Sequence, residues 1–142
     1  MTVSAQDALE DDAPPVVRVR TLIVDDVPDL RRLIRIALER AGMFEVVDEA
    51  GDGAQGLELA SRHDPELVIL DVSMPVRDGM EILPELRAMC PNAKIVMLSG
   101  LEQARLGDMA RALGADYYLE KGITPRQLVD VLLRVMDEPG PN

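Results

Sequence analysis

Five short apolar runs, each followed by a stretch with helical spacing, constrain this chain more than any other feature. The runs are VRTLIVD (19–25), MFEVVDEA (43–50), ELVILD (66–71), AKIVMLS (93–99) and ADYYLE (115–120). Short, β-branched and nearly continuous in their hydrophobicity, they predict strands buried mostly on both faces, as in parallel sheets. Between the first two runs, Leu30, Leu33, Ile34, Ala37, Leu38 and Ala41 recur at helical spacing and place one apolar stripe on a sheet. Pro28 opens that helix, where a missing N–H costs nothing, and Gly42 closes it. Asp52 is the expected cap of a second helix over 53–62, and Met80 to Met89 forms a third. A fourth, Leu101 to Leu113, is weakened by Gly107 inside it. Thr124 caps a fifth, in which Leu128, Val131, Leu132, Val135 and Met136 share a face, and Pro139-Gly140-Pro141 stops it. Strand followed by helix, repeated in this way, predicts an α/β fold: a doubly wound, open parallel sheet with right-handed crossovers.

The chain has 142 residues, 47% of them hydrophobic, which suits a single domain with its own core. No run approaches the ~18 apolar residues of a membrane span. The start, MTVSAQDALEDDAPP, has neither a basic region nor an apolar stretch, so it is not a secretory signal, and a cytoplasmic location is expected. Residues 1–17, with Asp7, Glu10, Asp11, Asp12 and Pro14-Pro15, read as a disordered acidic tail. Cys90 is the only cysteine, which excludes an intramolecular disulfide and fits a small buried hydrophobe. The net charge of −11 argues against nucleic acid as a partner, since phosphate contacts need Lys and Arg. It suits either solubility or cation binding, depending on whether particular carboxylates converge.

In open α/β sheets ligands bind beyond the carboxyl ends of the strands. There the first strand ends in Asp25-Asp26, the third in Asp71 and the fourth in Ser99, while the fifth ends just before Lys121. All five side chains are expected at one edge. Two carboxylates ~4 Å apart repel by about 4 kcal/mol at an effective dielectric near 20, so three of them require a cation. Ligands that are all oxygen select a hard ion, and Mg²⁺ suits one or two carboxylates plus waters. With Mg²⁺ and Lys121 in place the charges cancel, and such a site can accept a phosphoryl group. An Asp carboxylate is a competent nucleophile for that transfer, and Asp71, ending the central strand, is the best placed.

These residues, together with Asp71-Val72-Ser73-Met74-Pro75-Val76-Arg77-Asp78-Gly79, resemble the receiver domains of two-component response regulators over residues 18–136, leaving 137–142 as a C-terminal tail. The resemblance implies a flavodoxin-like (βα)5 fold with strand order 2-1-3-4-5. It implies that Asp71 is the phosphoacceptor, and that Asp25, Asp26 and Asp71 hold Mg²⁺ with the Ser73 backbone carbonyl. It further implies that Ser99 and Lys121 bind the phosphoryl group, and that Tyr118 is an aromatic switch. Gly100, Pro75 and Gly79 support the site. Such a protein is a phosphoacceptor signalling domain that catalyses its own phosphorylation and dephosphorylation rather than an enzyme. Its implied partners are a sensor histidine kinase or phosphotransfer protein and a downstream protein, with a homodimer through helix 4, strand 5 and helix 5 as a further option.

Two positions depart from the family pattern. Lys121 is followed by Gly122 where Pro with a cis bond is frequent, so a trans and more mobile loop is expected. Ser73, small and polar two residues after Asp71, leaves room for water and hence for self-dephosphorylation.

Other readings compete. Gly51-Asp52-Gly53-Ala54-Gln55-Gly56 matches G-x-G-x-x-G between a strand and a helix, with Asp71 further on, an outline of a dinucleotide site. However, it follows the second strand, carries Asp52 where pyrophosphate would sit, and leaves no length for a substrate domain. A flavin-binding sheet protein would need a phosphate cradle where Asp25-Asp26 stands. A Mg²⁺ phosphatase with an Asp nucleophile usually has a second acid where this chain has Ser73. His63, the only histidine, is expected to be a solvated residue at a helix end rather than a phosphoryl relay.

The expected switch draws Ser99 and Lys121 to the new oxygens, turns Tyr118 inward and repacks the face of helix 4, strand 5 and helix 5. Chain length favours a stand-alone receiver acting by protein contact. The Lys121-Gly122 detail leans instead to the receiver of a helix-turn-helix DNA-binding regulator.

Overall fold

A computed structural model describes residues 17–100 and 105–139. The expected N-terminal tail up to residue 16, the start of the fourth helix at 101–104 and the Gly140-Pro141 stop lie outside the described residues. Strands β1 (Val19–Val24), β2 (Phe44–Ala50), β3 (Leu67–Asp71), β4 (Lys94–Ser99) and β5 (Tyr117–Glu120) form one sheet in the order β2-β1-β3-β4-β5. Every neighbouring pair is parallel. Helices α1 (Pro28–Ala41), α2 (Gly53–His63), α3 (Gly79–Met89), α4 (Gly107–Leu113) and α5 (Pro125–Asp137) make the crossovers. This is the expected flavodoxin-like arrangement, and it puts the carboxyl ends of all five strands on one edge.

The helix boundaries follow from local chemistry. Pro28 sits in the first turn of α1, and Gly42 ends it in the left-handed region (φ 77°), donating to the Glu39 carbonyl. Asp52 caps α2 by accepting from the Gln55 N–H, and Asp78 caps α3 by accepting from the Glu81 N–H. Thr124 and Gln127 form a capping box at α5, each side chain bonding the other's backbone.

The sheet has a core on each face. Leu57, Ala60, Ile82, Leu83, Leu86 and Ala110 of α2, α3 and α4 pack on Leu22, Val68, Leu70 and Met97. On the other face Ile34, Leu38, Leu128, Leu132 and Val135 of α1 and α5 pack on Ile23, Ile69, Val96 and Leu98. Each fully buried Leu or Ile here contributes roughly 1.5–3 kcal/mol. Two-sided burial holds throughout β3 and β4 and over most of β1, but not for β2 and β5, most of whose residues are partly exposed. These are the edge strands, with a neighbour on one side only. β1 and β2 also slip register between Thr21 and Leu22, a bulge that leaves Val47 as an extra residue of β2. No helix among the described residues is long and apolar enough to cross a membrane.

Candidate acidic site at the sheet edge

The end of β1 turns sharply because Asp25 bonds in both directions. Its N–H continues the ladder to the Ala50 carbonyl (3.0 Å), while its Oδ1 accepts from the Val27 N–H (2.8 Å) and leads the chain into Pro28. Arg31, one turn into α1, donates to the Asp25 carbonyl (2.6 Å) and pairs with Glu49 (3.3 Å). This clamp has no signature in the sequence, because Arg31 and Glu49 meet only through the fold.

β3 delivers Asp71, and the loop after it folds back tightly. The Gly79 N–H donates to the Val72 carbonyl (2.8 Å), and a Cβ on Gly79 would lie 2.0 Å from the Asp71 carbonyl. Only glycine fits that approach. Pro75 begins a three-residue turn closed by the Arg77 N–H on the Pro75 carbonyl (2.8 Å), which holds exposed Val76 at φ 69°. For a β-branched residue this is strained backbone. The same loop docks on α2 through the Gly53 N–H and the Arg77 carbonyl (3.0 Å), where a Cβ on Gly53 would sit 2.1 Å from that oxygen.

The expected cluster forms. Asp25, Asp26 and Asp71 each present a carboxylate oxygen within 4.8 Å of the others. Asp25 and Asp71 are buried and Asp26 is exposed. Lys121 reaches in from the end of β5, its Nζ 2.9 Å from Asp71 Oδ1 and 3.6 Å from Asp25 Oδ2. Among the described residues, Asp25 Oδ2 and Asp71 Oδ2 are buried without a hydrogen-bond partner. Burial, the Asp25 charge and contact with Asp26 outweigh Lys121 and push the Asp71 carboxyl up to about 6. Burial depresses Lys121, but contact with Asp71 and the charges of Asp25 and Asp71 more than offset it, raising Lys121 above its ordinary value.

The other expected residues lie close by with varied roles in the packing. Ser99 ends β4 one position beyond Leu98, which faces Asp71 in the ladder, and its buried hydroxyl donates weakly to the Leu119 carbonyl (3.5 Å). Gly100 follows it, partly buried, and Ser73 is exposed two residues after Asp71. Tyr118 is half-buried against α4, where a Cβ on Gly107 would stand 3.3 Å from its ring. Gly107, which weakens the helix on propensity, is thus where that ring approaches. The Lys121-Gly122 bond is trans, with Gly122 at φ 104°.

The glycine fingerprint resolves into packing. Gly53 admits the Arg77 carbonyl, Gly56 admits the Val24 side chain, and Asp52 serves as a helix cap. His63 is not simply solvated: its Nε2 lies 3.0 Å from Asp48 Oδ2 of β2, and the Glu49 N–H, with this bond second to it, holds the Asp48 carboxyl below its ordinary value.

Fold and site together define a doubly wound α/β domain with a cation-ready acidic pocket faced by a lysine. The chain belongs to the response regulator receiver domain family, whose pattern matches residues 21–133. It is 34% identical to the chemotaxis protein CheY of Halobacterium salinarum over 117 residues, 82% of this chain and 96% of that protein. It is 40% identical to the transcriptional regulatory protein PdtaR of Mycobacterium tuberculosis over 121 residues, 85% of this chain but 58% of PdtaR. Among solved structures, the signal receiver domain of the putative response regulator NarL from M. tuberculosis superposes with a TM-score of 0.80 at 30% identity, covering 87% of this chain and 99% of that one. Receiver domains bind Mg²⁺ at an acidic pocket, which here is formed by Asp25, Asp26 and Asp71. The two orphaned buried oxygens fit that ion, because a divalent cation supplies the partner each one lacks.

Proposed function

We propose that residues 18–136 act as a phosphoryl switch in which Asp71 accepts the phosphoryl group of a kinase or phosphotransfer-protein phosphohistidine. The observation that carries this reading is the state of the Asp71 carboxylate: one oxygen rests on Lys121, and the other is buried with no hydrogen-bond partner among the described residues. In the transfer, an Asp71 oxygen attacks phosphorus in line, the P–N bond breaks, and the leaving imidazole nitrogen keeps the electron pair and takes up a proton. Asp25, Asp26, Asp71 and the Ser73 carbonyl would hold Mg²⁺, which supplies charge neutralisation for the phosphoryl oxygens. Lys121 follows the charge from the carboxylate to the phosphoryl oxygens. The Ser99 hydroxyl, weakly held by Leu119, is available to turn toward them. Tyr118 then moves inward under α4, and the face of α4, β5 and α5 changes shape for a downstream partner or a second copy.

Output by protein contact is the favoured form, in keeping with the match to 96% of the chemotaxis protein CheY. The receiver of a DNA-binding regulator is the alternative, in keeping with the likeness to a DNA-binding response regulator of the LuxR family from Staphylococcus aureus (25% identity, TM-score 0.78). Incubation with acetyl phosphate or a kinase should attach one phosphoryl group in a base-labile, acid-stable bond only when Mg²⁺ is present. The adduct should be absent in Asp71→Asn. Labelling that survives this substitution removes Asp71 from the role.

A further inference from the structure

Asp25 carries four polar atoms, and its surroundings hold three of them. Its N–H donates to the Ala50 carbonyl (3.0 Å), its Oδ1 accepts from the Val27 N–H (2.8 Å), and its carbonyl accepts from Arg31 Nη1 (2.6 Å). The fourth is Oδ2, buried with no hydrogen-bond partner among the described residues and 3.6 Å from Lys121 Nζ. The first two bonds accompany any strand that pairs to its end and turns at an aspartate. The third does not. In a parallel ladder a residue's N–H and C=O point to the same neighbouring strand, so the Asp25 carbonyl would find its donor two residues past Ala50. β2 ends at Ala50, however, and Asp52 is already the cap of α2. Arg31 takes that place from α1.

That carbonyl belongs to the peptide between Asp25 and Asp26, whose carboxylates are two of the three in the acidic pocket. Fixing the plane of this one peptide fixes the directions in which both side chains leave the backbone. We propose that Arg31 is a positioning residue for the cation: through this peptide it sets the directions of Asp25 and Asp26, and with them the affinity for Mg²⁺. This rests on the Mg²⁺ reading of the pocket. The arginine is itself braced. Its Nε pairs with Glu49 of β2 (3.3 Å), whose other oxygen takes Arg35 Nη1 (2.5 Å). A Cβ on Gly51 would stand 3.5 Å from Arg31 Nη1, so the guanidinium lies along the chain leaving β2, with its side chain 20% exposed. Arginine suits this task better than lysine, because its planar fork donates in two directions at once.

Charge and position make opposite predictions for this residue. A guanidinium bonded to the peptide between two metal ligands repels a cation, so deleting it without moving the ligands tightens Mg²⁺ binding. Deleting it as the brace lets the peptide tilt, and Mg²⁺, which demands near-octahedral geometry, loses affinity. Removing a group that orients metal ligands costs roughly 10–100-fold in affinity, and Arg31, acting through the backbone, belongs at the lower end of that range.

Mg²⁺ titrations of the full chain decide between the two. They are followed by the amide signals of Asp26 and Ser73, at fixed ionic strength and at a temperature where thermal melts show each protein folded. Arg31→Gln should bind Mg²⁺ about tenfold more weakly than the parent. Arg31→Lys keeps the charge but offers one nitrogen in place of two, and its affinity should fall between them. Arg32→Gln removes a charge from the exposed neighbour on the same helix and should bind as tightly as the parent or more so. Parent-like or tighter binding by Arg31→Gln overturns the proposal. Should that variant not fold, parent-like binding by Arg31→Lys overturns it. Equal weakening in Arg32→Gln overturns it too, because the effect then belongs to the helix and not to the Asp25 carbonyl. A parent that binds no Mg²⁺ refutes the reading of the pocket itself, and the positioning role with it.

Discussion

Asp71 is the residue on which stability and function pull apart. Burial and two neighbouring acids lift its carboxyl from 3.8 to about 6, so the folded protein holds that proton more tightly than the unfolded chain does. For an acid whose folded value is raised, ionisation costs stability. The cost is absent below 3.8, grows as pH rises toward about 6, and is complete above it. Its size is on the order of 1–3 kcal/mol, reduced by the attraction to Lys121. Asp71→Asn should therefore melt a few degrees higher than the parent at pH 8 in EDTA, and the gap should shrink toward pH 4. Thermal melts of both proteins across that range check this, and an Asn variant that is the less stable at pH 8 contradicts it. Gly79 is a second residue-scale constraint. A Cβ there meets the Asp71 carbonyl at 2.0 Å, so Gly79→Ala must move the backbone that aims Asp71. A loss of about 2–4 kcal/mol in urea denaturation is expected.

At the scale of elements, Arg87 ties α3 to the segments that lead into β4 and β5. Its guanidinium donates to the carbonyls of Gly114 (2.9 and 2.7 Å) and Ala93 (2.6 Å) and to Asp116 Oδ2 (2.6 Å), which also accepts from the Ile95 N–H (2.8 Å). With both side chains under one-fifth exposed, Arg87→Ala strands a carboxylate and two carbonyls, at about 3 kcal/mol. Chemical denaturation should show that loss, with a lower midpoint and an unchanged slope. Nothing in the sequence marks this clamp. The helix starts marked by Pro28, Asp52 and Thr124 were legible because such signals act within three residues of themselves. The meeting of Asp25, Asp26, Asp71 and Lys121 was legible because parallel strands end on one edge. What was hidden depends on approach between distant segments: the Arg31 clamp on Asp25, the Arg77 carbonyl over Gly53, and the Tyr118 ring over Gly107. The half-exposed β2 and β5 were hidden for the same reason, since apolar runs do not say which strand lies at an edge.

The whole molecule carries a net charge of −11, three of whose acids converge on one pocket, so two electrostatic effects should separate experimentally. Screening relieves repulsion across the entire surface. Raising NaCl from about 0.1 M to 1 M shortens the screening length from ~10 Å to ~3 Å and should raise Tm without regard to the pocket. Mg²⁺ at matched ionic strength acts locally, on the folded state alone. Each tenfold rise above its Kd then adds about 1.4 kcal/mol, worth roughly 4 °C in a domain of this size. The Asp25→Asn/Asp26→Asn variant keeps most of the surface charge but loses the convergent set. Its NaCl response should match the parent's, while its Mg²⁺ increment should vanish. Melts of both proteins in NaCl and in MgCl₂ of equal ionic strength decide the matter. An undiminished Mg²⁺ increment in the variant means that the ion stabilises the chain as a general counterion, and that the orphaned oxygens of Asp25 and Asp71 are not its site.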